Sequence, residues 1–339
     1  MKMKRMLGLL VACSMLFSMP VMAEETETVV SDVSTDYFES VEFDTMEPIR
    51  LSSAQVDEVF ADNNGIQPLI TTPDEYEPND TWLTAKPYDS VEVITPQLTS
   101  RHELYTLGMR TAGLHSDTDV DWYTTRMESG ETYFVDIRNV GSRNVFIEVY
   151  YVYPDNTATV WSTDPSINSV FAKQPEKYFY FQPEISGTYY IRVASGGDWS
   201  ADMMNYFFYV GPAIQTFRIV NMPTYGSVQI WGDDYRTYTC NLTGTAVPAQ
   251  TAIINLSISN KFPQGKECSE VMSYMRAGGK TYYTSSSGAV SGITQAPLGQ
   301  SWTIGGKCKN GSHFTYWTAV MNGSFACIMA PYPGNEIDF

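Results

Sequence analysis

Two acidic segments hold the residues with the clearest capacity for chemistry in this chain. The first is Asp74-Glu-Tyr-Glu-Pro-Asn-Asp80, and the second, further along, is Asp117-Thr-Asp-Val-Asp-Trp-Tyr123. Both segments place oxygen-bearing side chains at alternate positions, and the candidate metal ligands are Glu75, Glu77, Asn79, Asp80, Asp117, Asp119 and Asp121. Ca²⁺ takes about six to eight oxygens from carboxylates, amide carbonyls and water. Because histidine and cysteine are scarce here, the pattern indicates calcium before zinc.

Two other interpretations of these segments stay open. Acidic loops in an acidic protein can simply be solvated. The spacing of Asp117, Asp119, Asp121 and Glu128 also imitates an EF-hand loop, but Trp122 stands where that loop needs glycine. The flanking residues have strand character rather than helical character, so the EF-hand interpretation is disfavoured.

The composition is that of an acidic globular protein. The 339 residues are enough for two ordinary domains, and the composition of 43% hydrophobic and 14% aromatic residues allows buried cores. The formal net charge is -17, and it becomes -20 without the N-terminal Lys2, Lys4 and Arg5. Such a surface repels phosphate groups, so nucleic acid and anionic membranes are not expected partners, whereas divalent cations are compatible with it.

Residues 1–23 have the pattern of a secretory signal peptide. A basic start precedes an apolar run from Met6 to Met19, and Val21-Met-Ala23 forms a cleavage site before Glu24. Leu10-Val-Ala-Cys13 also resembles a lipoprotein cleavage box, so lipidation at Cys13 is the alternative. No later run approaches the roughly 18 apolar residues of a membrane span. We therefore expect a secreted protein, extracellular or at the cell surface.

The number of remaining cysteines is consistent with an exported protein. All four lie in the C-terminal part of the chain, and they predict up to two disulfides whose pairing the sequence leaves open: Cys240, Cys268, Cys308 and Cys327. The absence of a Cys-x-x-Cys pair disfavours a zinc site.

Alternating hydrophobicity predicts strand after strand between Tyr76 and Tyr209. In one run, Tyr133, Val135 and Ile137 alternate with residues of the opposite face. Turn residues separate the runs. Short strands at such spacing predict an all-β fold with a jelly-roll-like β-sandwich over residues 74–211.

Two regions flank this predicted sandwich. Residues 24–73 are acidic and are expected to form a linker or spacer, with one short helix capped by Ser52 and Gln55. A cleavable pro-segment is the alternative. Residues 212–339 have further strand-like runs and predict a second, disulfide-containing β domain, with a turn or two of helix between Cys268 and Arg276.

The first predicted sandwich resembles a known family. The motifs Tyr76-Glu-Pro-Asn-Asp80, Asp119-Val-Asp-Trp-Tyr123, Gly130-Glu-Thr-Tyr133 and Gly187-Thr-Tyr-Tyr-Ile-Arg-Val193 are similar, in order, to those of the bacterial pre-peptidase C-terminal domain. The collagen-binding modules of clostridial collagenases are similar, and the resemblance covers residues 74–210. It implies a jelly-roll sandwich with calcium on a Glu-x-Glu-x-Asn-Asp segment, matched here by Glu75, Glu77, Asn79 and Asp80. Asp121 fits best as the ligand from the second segment.

Catalytic signatures are missing from the sequence. It contains no His-Glu-x-x-His, no Gly-x-Ser-x-Gly and no glycine-rich phosphate loop, and its three histidines lie near no nucleophile pattern. This favours a protein that binds an extracellular protein or polysaccharide without catalysis of its own. The alternatives are an accessory or regulatory partner of a secreted peptidase, or a hydrolase with an unrecognised site in the C-terminal domain.

Tyrosines are the residues expected to form a binding surface. Tyr150, Tyr151 and Tyr153 lie on one predicted hairpin, and strand alternation directs some of their rings outward. Aromatic rings with a polar tip are suited to contact sugars or extended peptides. Cross-strand pairing that only stabilises the sheet is the alternative.

Overall fold

The structure is a computed structural model. All the residues it describes belong to one compact unit, which spans Asp36–Phe339. Glu75, Cys13 and the predicted signal peptide lie outside the described residues. The described residues are 38, 41–61, 76–88, 93–95, 109–139, 145–164, 178–197, 204–224, 226–232, 234–242, 250–263, 268, 270–309 and 315–330.

The described part of the chain is almost entirely β-structure. One α-helix, α1, spans Ser53–Val59, and a short 3₁₀ helix spans Trp82–Thr84. The strands are β1 (Ile49–Leu51), β2 (Lys86–Pro87), β3 (Val93–Thr95), β4 (Arg110–Leu114), β5 (Val120–Met127), β6 (Tyr133–Asn139), β7 (Val145–Val152), β8 (Ala158–Ser162), β9 (Tyr178–Phe181), β10 (Gly187–Ser195), β11 (Met204–Pro212), β12 (Ile214–Pro223), β13 (Val228–Ile230), β14 (Arg236–Asn241), β15 (Thr251–Lys261), β16 (Val271–Ala277), β17 (Lys280–Tyr283), β18 (Ser301–Cys308) and β19 (Thr315–Ile328).

The first sandwich consists of a six-stranded sheet and a four-stranded sheet. Their strand orders are β1-β8-β7-β10-β5-β2 and β4-β11-β6-β9. The alternating residues Tyr133, Val135 and Ile137 of β6 lie in the buried cluster between the sheets, together with Ile191 and Val193 of β10. The predicted all-β class and the predicted sandwich are therefore confirmed, because the period of two in the sequence is the period of the buried face.

The second sandwich is built in the same way. Strands β13-β19-β12-β3, with β15 also paired to β19, form one sheet, and β14-β18-β16-β17 form the other. Its core contains the fully buried Trp302 and Trp317. Phe134 and Tyr209 of the first sandwich lie in the same cluster, and β3 pairs in parallel with β12. The two sandwiches therefore have a common buried cluster, and β3, which precedes β4 in the sequence, belongs to a sheet of the second sandwich.

Residues 41–61, within the range expected as a spacer, are built into the fold. Strand β1 pairs with β8. The predicted helix is present as α1, and the backbone N–H of Ser52 donates to Gln55 Oε1 at 3.0 Å, as in a capping box. Phe60 follows the helix and places its ring centroid 5.0 to 5.8 Å from those of Trp82, Trp122, Tyr150 and Tyr190. This segment is ordered because it covers aromatic surface on the outer face of the six-stranded sheet.

Of the two disulfides allowed by the cysteine count, one is present. Cys268 and Cys308 are joined and tie the start of β16 to the end of β18. Cys240 and Cys327 are buried free thiols, which corrects the expectation of a disulfide for these two. They belong to strands of opposite sheets, and burial raises the pKa of Cys240 to about 11 and of Cys327 to about 12. Little of the thiolate needed for disulfide exchange is then present at neutral pH.

The helical turn expected between Cys268 and Arg276 is also corrected. Val271–Ala277 is strand β16, in which Met275 faces the core while Met272 and Arg276 are exposed. Its backbone pairs with β17 on one side and with β18 on the other, which a helical turn cannot do.

Candidate metal centre

The second acidic segment supplies two carboxylates at the start of β5. Asp119 closes a turn in which its backbone N–H donates to the carbonyl of Ser116 at 3.3 Å. Asp121 is the second residue of β5, and its Oδ2 accepts a 2.6 Å hydrogen bond from the Tyr206 hydroxyl of the opposite sheet. Asp119 and Asp121 are only 3% and 1% exposed, so both carboxylates lie inside the sandwich.

The first acidic segment lies alongside this strand. The backbone N–H of Trp122 donates to the carbonyl of Asn79 at 2.8 Å, and the ring of Tyr76 packs edge-on against Tyr123 with centroids 5.3 Å apart. These contacts bring the side chain of Glu77 to the start of β5. As a result, one ligand oxygen from each of Glu77, Asp119 and Asp121 lies within 4.8 Å of the others.

Asn79 lies between two of these carboxylates. The terminal atom of its buried amide is 3.2 Å from Asp121 Oδ1 and 3.1 Å from Glu77 Oε2. An amide nitrogen in that position donates a hydrogen bond to both carboxylates. An amide oxygen there faces only acceptors, an arrangement that needs a cation among them. Either orientation makes Asn79 part of the same polar cluster.

The carboxylates repel one another in the absence of a cation. Burial, followed by the neighbouring charge of Asp80, raises the pKa of Asp119 to about 6. Oδ2 of Asp119 accepts a 2.5 Å hydrogen bond from the backbone N–H of His115. Oδ1 of Asp119 and Oδ1 of Asp80 are buried and have no hydrogen-bond donor among the described residues. Buried carboxylate oxygens without donors are unfavourable, and a bound cation would satisfy them.

His115 is a member of the site to which the sequence patterns assign no role. Its Nε2 lies 3.4 Å from Glu77 Oε1, and both side chains are buried. A protonated imidazole at that distance forms an ion pair with the carboxylate. The only signal in the sequence is that His115 directly precedes the acidic turn.

The predicted ligands divide into three groups in the structure. Glu77, Asn79, Asp119 and Asp121 converge, and Asp80 lies beside Asp119. Asp117 is exposed on the turn and does not belong to the converging group. Glu75 lies outside the described residues, so its role stays a prediction.

The EF-hand interpretation does not describe this geometry. Glu128 lies beyond the far end of β5, where its Oε1 accepts a hydrogen bond from Arg126 at 3.1 Å. A strand carries residues 120 to 127 away from the turn in a straight line. An EF-hand loop instead wraps its ligands around one ion.

The three tyrosines predicted as a binding surface are largely occupied by packing. Tyr150 is buried against Phe60 and Trp122, and Tyr151 packs against Tyr189 at a centroid distance of 5.0 Å. The half-buried Tyr153 accepts a 2.6 Å hydrogen bond from Arg50 and donates one to Glu184 at 3.1 Å. These contacts correspond to the sheet-stabilising alternative, and Tyr150 offers no exposed ring.

No protein-family model matches this chain, and no curated protein matches its sequence. The resemblance to the pre-peptidase C-terminal domain therefore stays a prediction from its motifs. Within the described residues, no helix is both long enough and apolar enough to cross a membrane.

Some solved structures have a distant similarity to the chain. A protein of Eubacterium rectale described as secreted is 10% identical with a TM-score of 0.26, and the match covers 86% of this chain and 95% of that one. The M60 catalytic domain of Clostridium perfringens ZmpB, with its CBM51-1 and CBM51-2 domains, is 11% identical with a TM-score of 0.17, covering 63% and 34%. The collagen adhesin CNA of S. aureus is 10% identical with a TM-score of 0.13, covering 70% and 83%. The TM-scores are low, so these similarities carry no argument about function.

Proposed function

We propose that this protein is an exported, calcium-stabilised β-sandwich protein that acts by binding an extracellular protein or polysaccharide, without catalysis of its own. The observation that supports the calcium role is the buried convergence of Glu77, Asp119 and Asp121. Every carboxylate and amide ligand in the group offers oxygen, which suits a hard cation such as Ca²⁺ better than zinc. Three carboxylates also supply more than the charge needed to neutralise a divalent ion.

The position of the cluster favours a structural role for the metal. A cation bound there would connect the segment around Glu77, the turn that ends at Asp119, and strand β5. Because these ligands converge only in the folded chain, the binding free energy of the ion adds to the free energy of unfolding. The hydrogen bond from Tyr206 to Asp121 extends this connection to β11 in the opposite sheet.

The burial of the cluster argues against a catalytic metal. A catalytic ion keeps an open coordination position that substrate can reach. Here Asn79, Asp119 and Asp121 are each at most 3% exposed. The Cys268–Cys308 disulfide supports export, since disulfides persist in oxidising compartments.

Thermal unfolding of the mature chain tests the calcium role. At a calcium concentration about a hundredfold above Kd, binding adds about 2.7 kcal/mol to the free energy of unfolding. We expect a correspondingly higher Tm in calcium than in EDTA, and elemental mass spectrometry should detect calcium on the purified protein. Equal melting curves in calcium and EDTA, with no metal on the protein, would exclude this function for the cluster.

A further inference from the structure

The four-stranded sheet of the second sandwich has one face in the core and one face directed away from it. Cys240, Met275, Trp302 and Ile304 point into the core. The residues that alternate with them lie on the opposite face. We call that surface the basic tyrosine face and define it by Tyr235, Met272, Tyr274, Arg276, Tyr283 and Lys307.

Three aromatic rings form a row across this face, and the central one, Tyr274, is only 7% exposed. The ring centroid of Tyr274 lies 5.1 Å from that of Tyr235 and 5.9 Å from that of Tyr283. Tyr274 is opposite Gly305 of β18, where an added Cβ would come within 2.3 Å of the Tyr274 ring. The glycine therefore leaves room for the ring over the neighbouring strand. At the ends of the row, Tyr283 is 57% exposed and Met272 is 41% exposed.

Two cations adjoin the rings. Lys307 Nζ is 4.9 Å from the centroid of Tyr235, and Arg276 Cζ is 5.4 Å from that of Tyr274. Both distances are within the range of a cation–π contact. Such contacts hold the charged groups over the face, where Arg276 is exposed and also donates from Nε to Thr281 Oγ1 at 3.0 Å.

This sheet is basic, although the protein as a whole is acidic. Strands β14, β16, β17 and β18 carry four basic residues and no acidic residue, whereas the chain has 38 acidic and 21 basic residues. In the sequence, Asp233 and Asp234 precede β14 and Glu270 precedes β16. Asp234 is exposed, and Glu270 is paired with Lys309 at 3.0 Å. An anionic partner is therefore repelled by the acidic surface and attracted to this sheet.

We propose that the basic tyrosine face binds an acidic polysaccharide, with sugar rings against Tyr235 and Tyr283 and with carboxylate or sulfate groups beside Arg276 and Lys307. This inference rests on the binding function proposed above and names its surface and its partner class. Each unit of such a polymer presents an apolar ring face, hydroxyl groups and a charge. The face offers the matching groups, because exposed Thr237 and Thr239 lie on the same side of the sheet as the rings and the cations.

An acidic peptide is the less suitable partner for this surface. It lacks the ring faces that would stack on the tyrosines, and an extended peptide finds its backbone partners at the edge of a sheet rather than on its face.

Binding of four defined polymers tests the proposal. The mature protein is saturated with calcium and then desalted, because free calcium would bridge acidic polymers to an acidic protein. Heparin provides sulfates, hyaluronate provides carboxylates, dextran is neutral and polyglutamate is an acidic peptide. We expect binding of heparin or hyaluronate that weakens as salt increases, and no binding of dextran. Equal or tighter binding of polyglutamate, or no binding of either acidic polysaccharide, would overturn the proposal.

Substitutions on the basic tyrosine face test whether the polysaccharide binds there. We expect Arg276→Gln/Lys307→Gln to weaken binding at least tenfold and Tyr283→Ala to weaken it at least threefold. The matched control is Arg218→Gln/Lys261→Gln, which removes the same charges from exposed positions of β12 and β15 in the opposite sheet. Its binding should be unchanged, and an equal loss in this control would mean that only overall charge matters, against the proposal.

The calcium hypothesis and the polysaccharide hypothesis can be tested independently of each other. Asp121→Asn removes a predicted calcium ligand from the first sandwich and leaves the basic tyrosine face unaltered. Polysaccharide binding by this variant, measured below its Tm, should equal that of the wild type even if calcium binding is lost. Conversely, Arg276→Gln/Lys307→Gln should keep the calcium-dependent rise in Tm.

Discussion

The hydroxyl of Tyr206 donates a 2.6 Å hydrogen bond to Oδ2 of Asp121 and thereby joins β11 of one sheet to the candidate metal centre on β5 of the other. Burial, and then the negative charge of Asp121, raise the pKa of Tyr206 well above its usual value. The phenol therefore keeps its proton and remains a donor at physiological pH. The metal centre is in this way coupled to the packing between the two sheets of the first sandwich.

Asp121→Asn tests the centre directly. The change removes one carboxylate charge while keeping the side-chain volume and an oxygen that can accept from Tyr206. We expect calcium affinity, measured by titration calorimetry, to fall at least tenfold, and the calcium-dependent rise in Tm to be lost. Asp117→Asn is the control, since it makes the same charge change on an exposed residue of the adjacent turn. Similar losses in both variants would contradict the assignment of ligands.

Phe60→Ala tests the role of residues 41–61. The ring packs against four aromatic residues, so its removal should lower the free energy of unfolding by about 3 kcal/mol, the low end for a large aromatic side chain. Limited proteolysis should then cleave this segment faster. Leu83→Ala is the control, because Leu83 is an exposed apolar residue near the same surface and its truncation should change stability by less than about 0.5 kcal/mol. Equal effects of the two substitutions would show that the segment does not stabilise the sandwich.

Arg192→Met tests an ion pair on the six-stranded sheet in which the carboxylate is buried. Arg192 Nη1 lies 2.6 Å from Glu148 Oε2, and the Glu148 side chain is 1% exposed. Without its partner, the carboxylate is buried and uncompensated, and we expect a loss of about 3 kcal/mol in urea unfolding. Adding Glu148→Gln should recover more than half of that loss, since the buried charge is then gone. A double variant as unstable as the single one would show that packing of the arginine stem dominates.

Thiol titration tests the cysteine assignment. Denatured, unreduced mature protein should have two reactive thiols, from Cys240 and Cys327, and four after reduction. Reduction should lower the free energy of unfolding by about 4 kcal/mol, the value of the chain-entropy model for partners 40 residues apart. No reactive thiol before reduction would mean that the second pair is also joined.

Local patterns in the sequence are sufficient to predict several features of the structure. Tyr133, Val135 and Ile137 face the core as their alternation predicts, because the side chains of a strand point to opposite faces in turn. The helix after Ser52 is present for the same kind of reason, since a capping box involves only residues three positions apart. The two acidic segments that suggested a common metal site do supply carboxylates that converge.

Only the tertiary structure determines which of these side chains are exposed, which are covered, and which cysteines pair. Asp117 and Asp119 have equal status in the sequence, but a turn leaves Asp117 in solvent and buries Asp119. Alternation places Tyr150 on one face of its strand, yet the covering of that face by Phe60 depends on a segment 90 positions earlier. The pairing of Cys268 with Cys308, and the isolation of Cys240 from Cys327, likewise follow from strand order. Periodicity specifies that a strand has two faces, whereas long-range packing determines what lies against each of them.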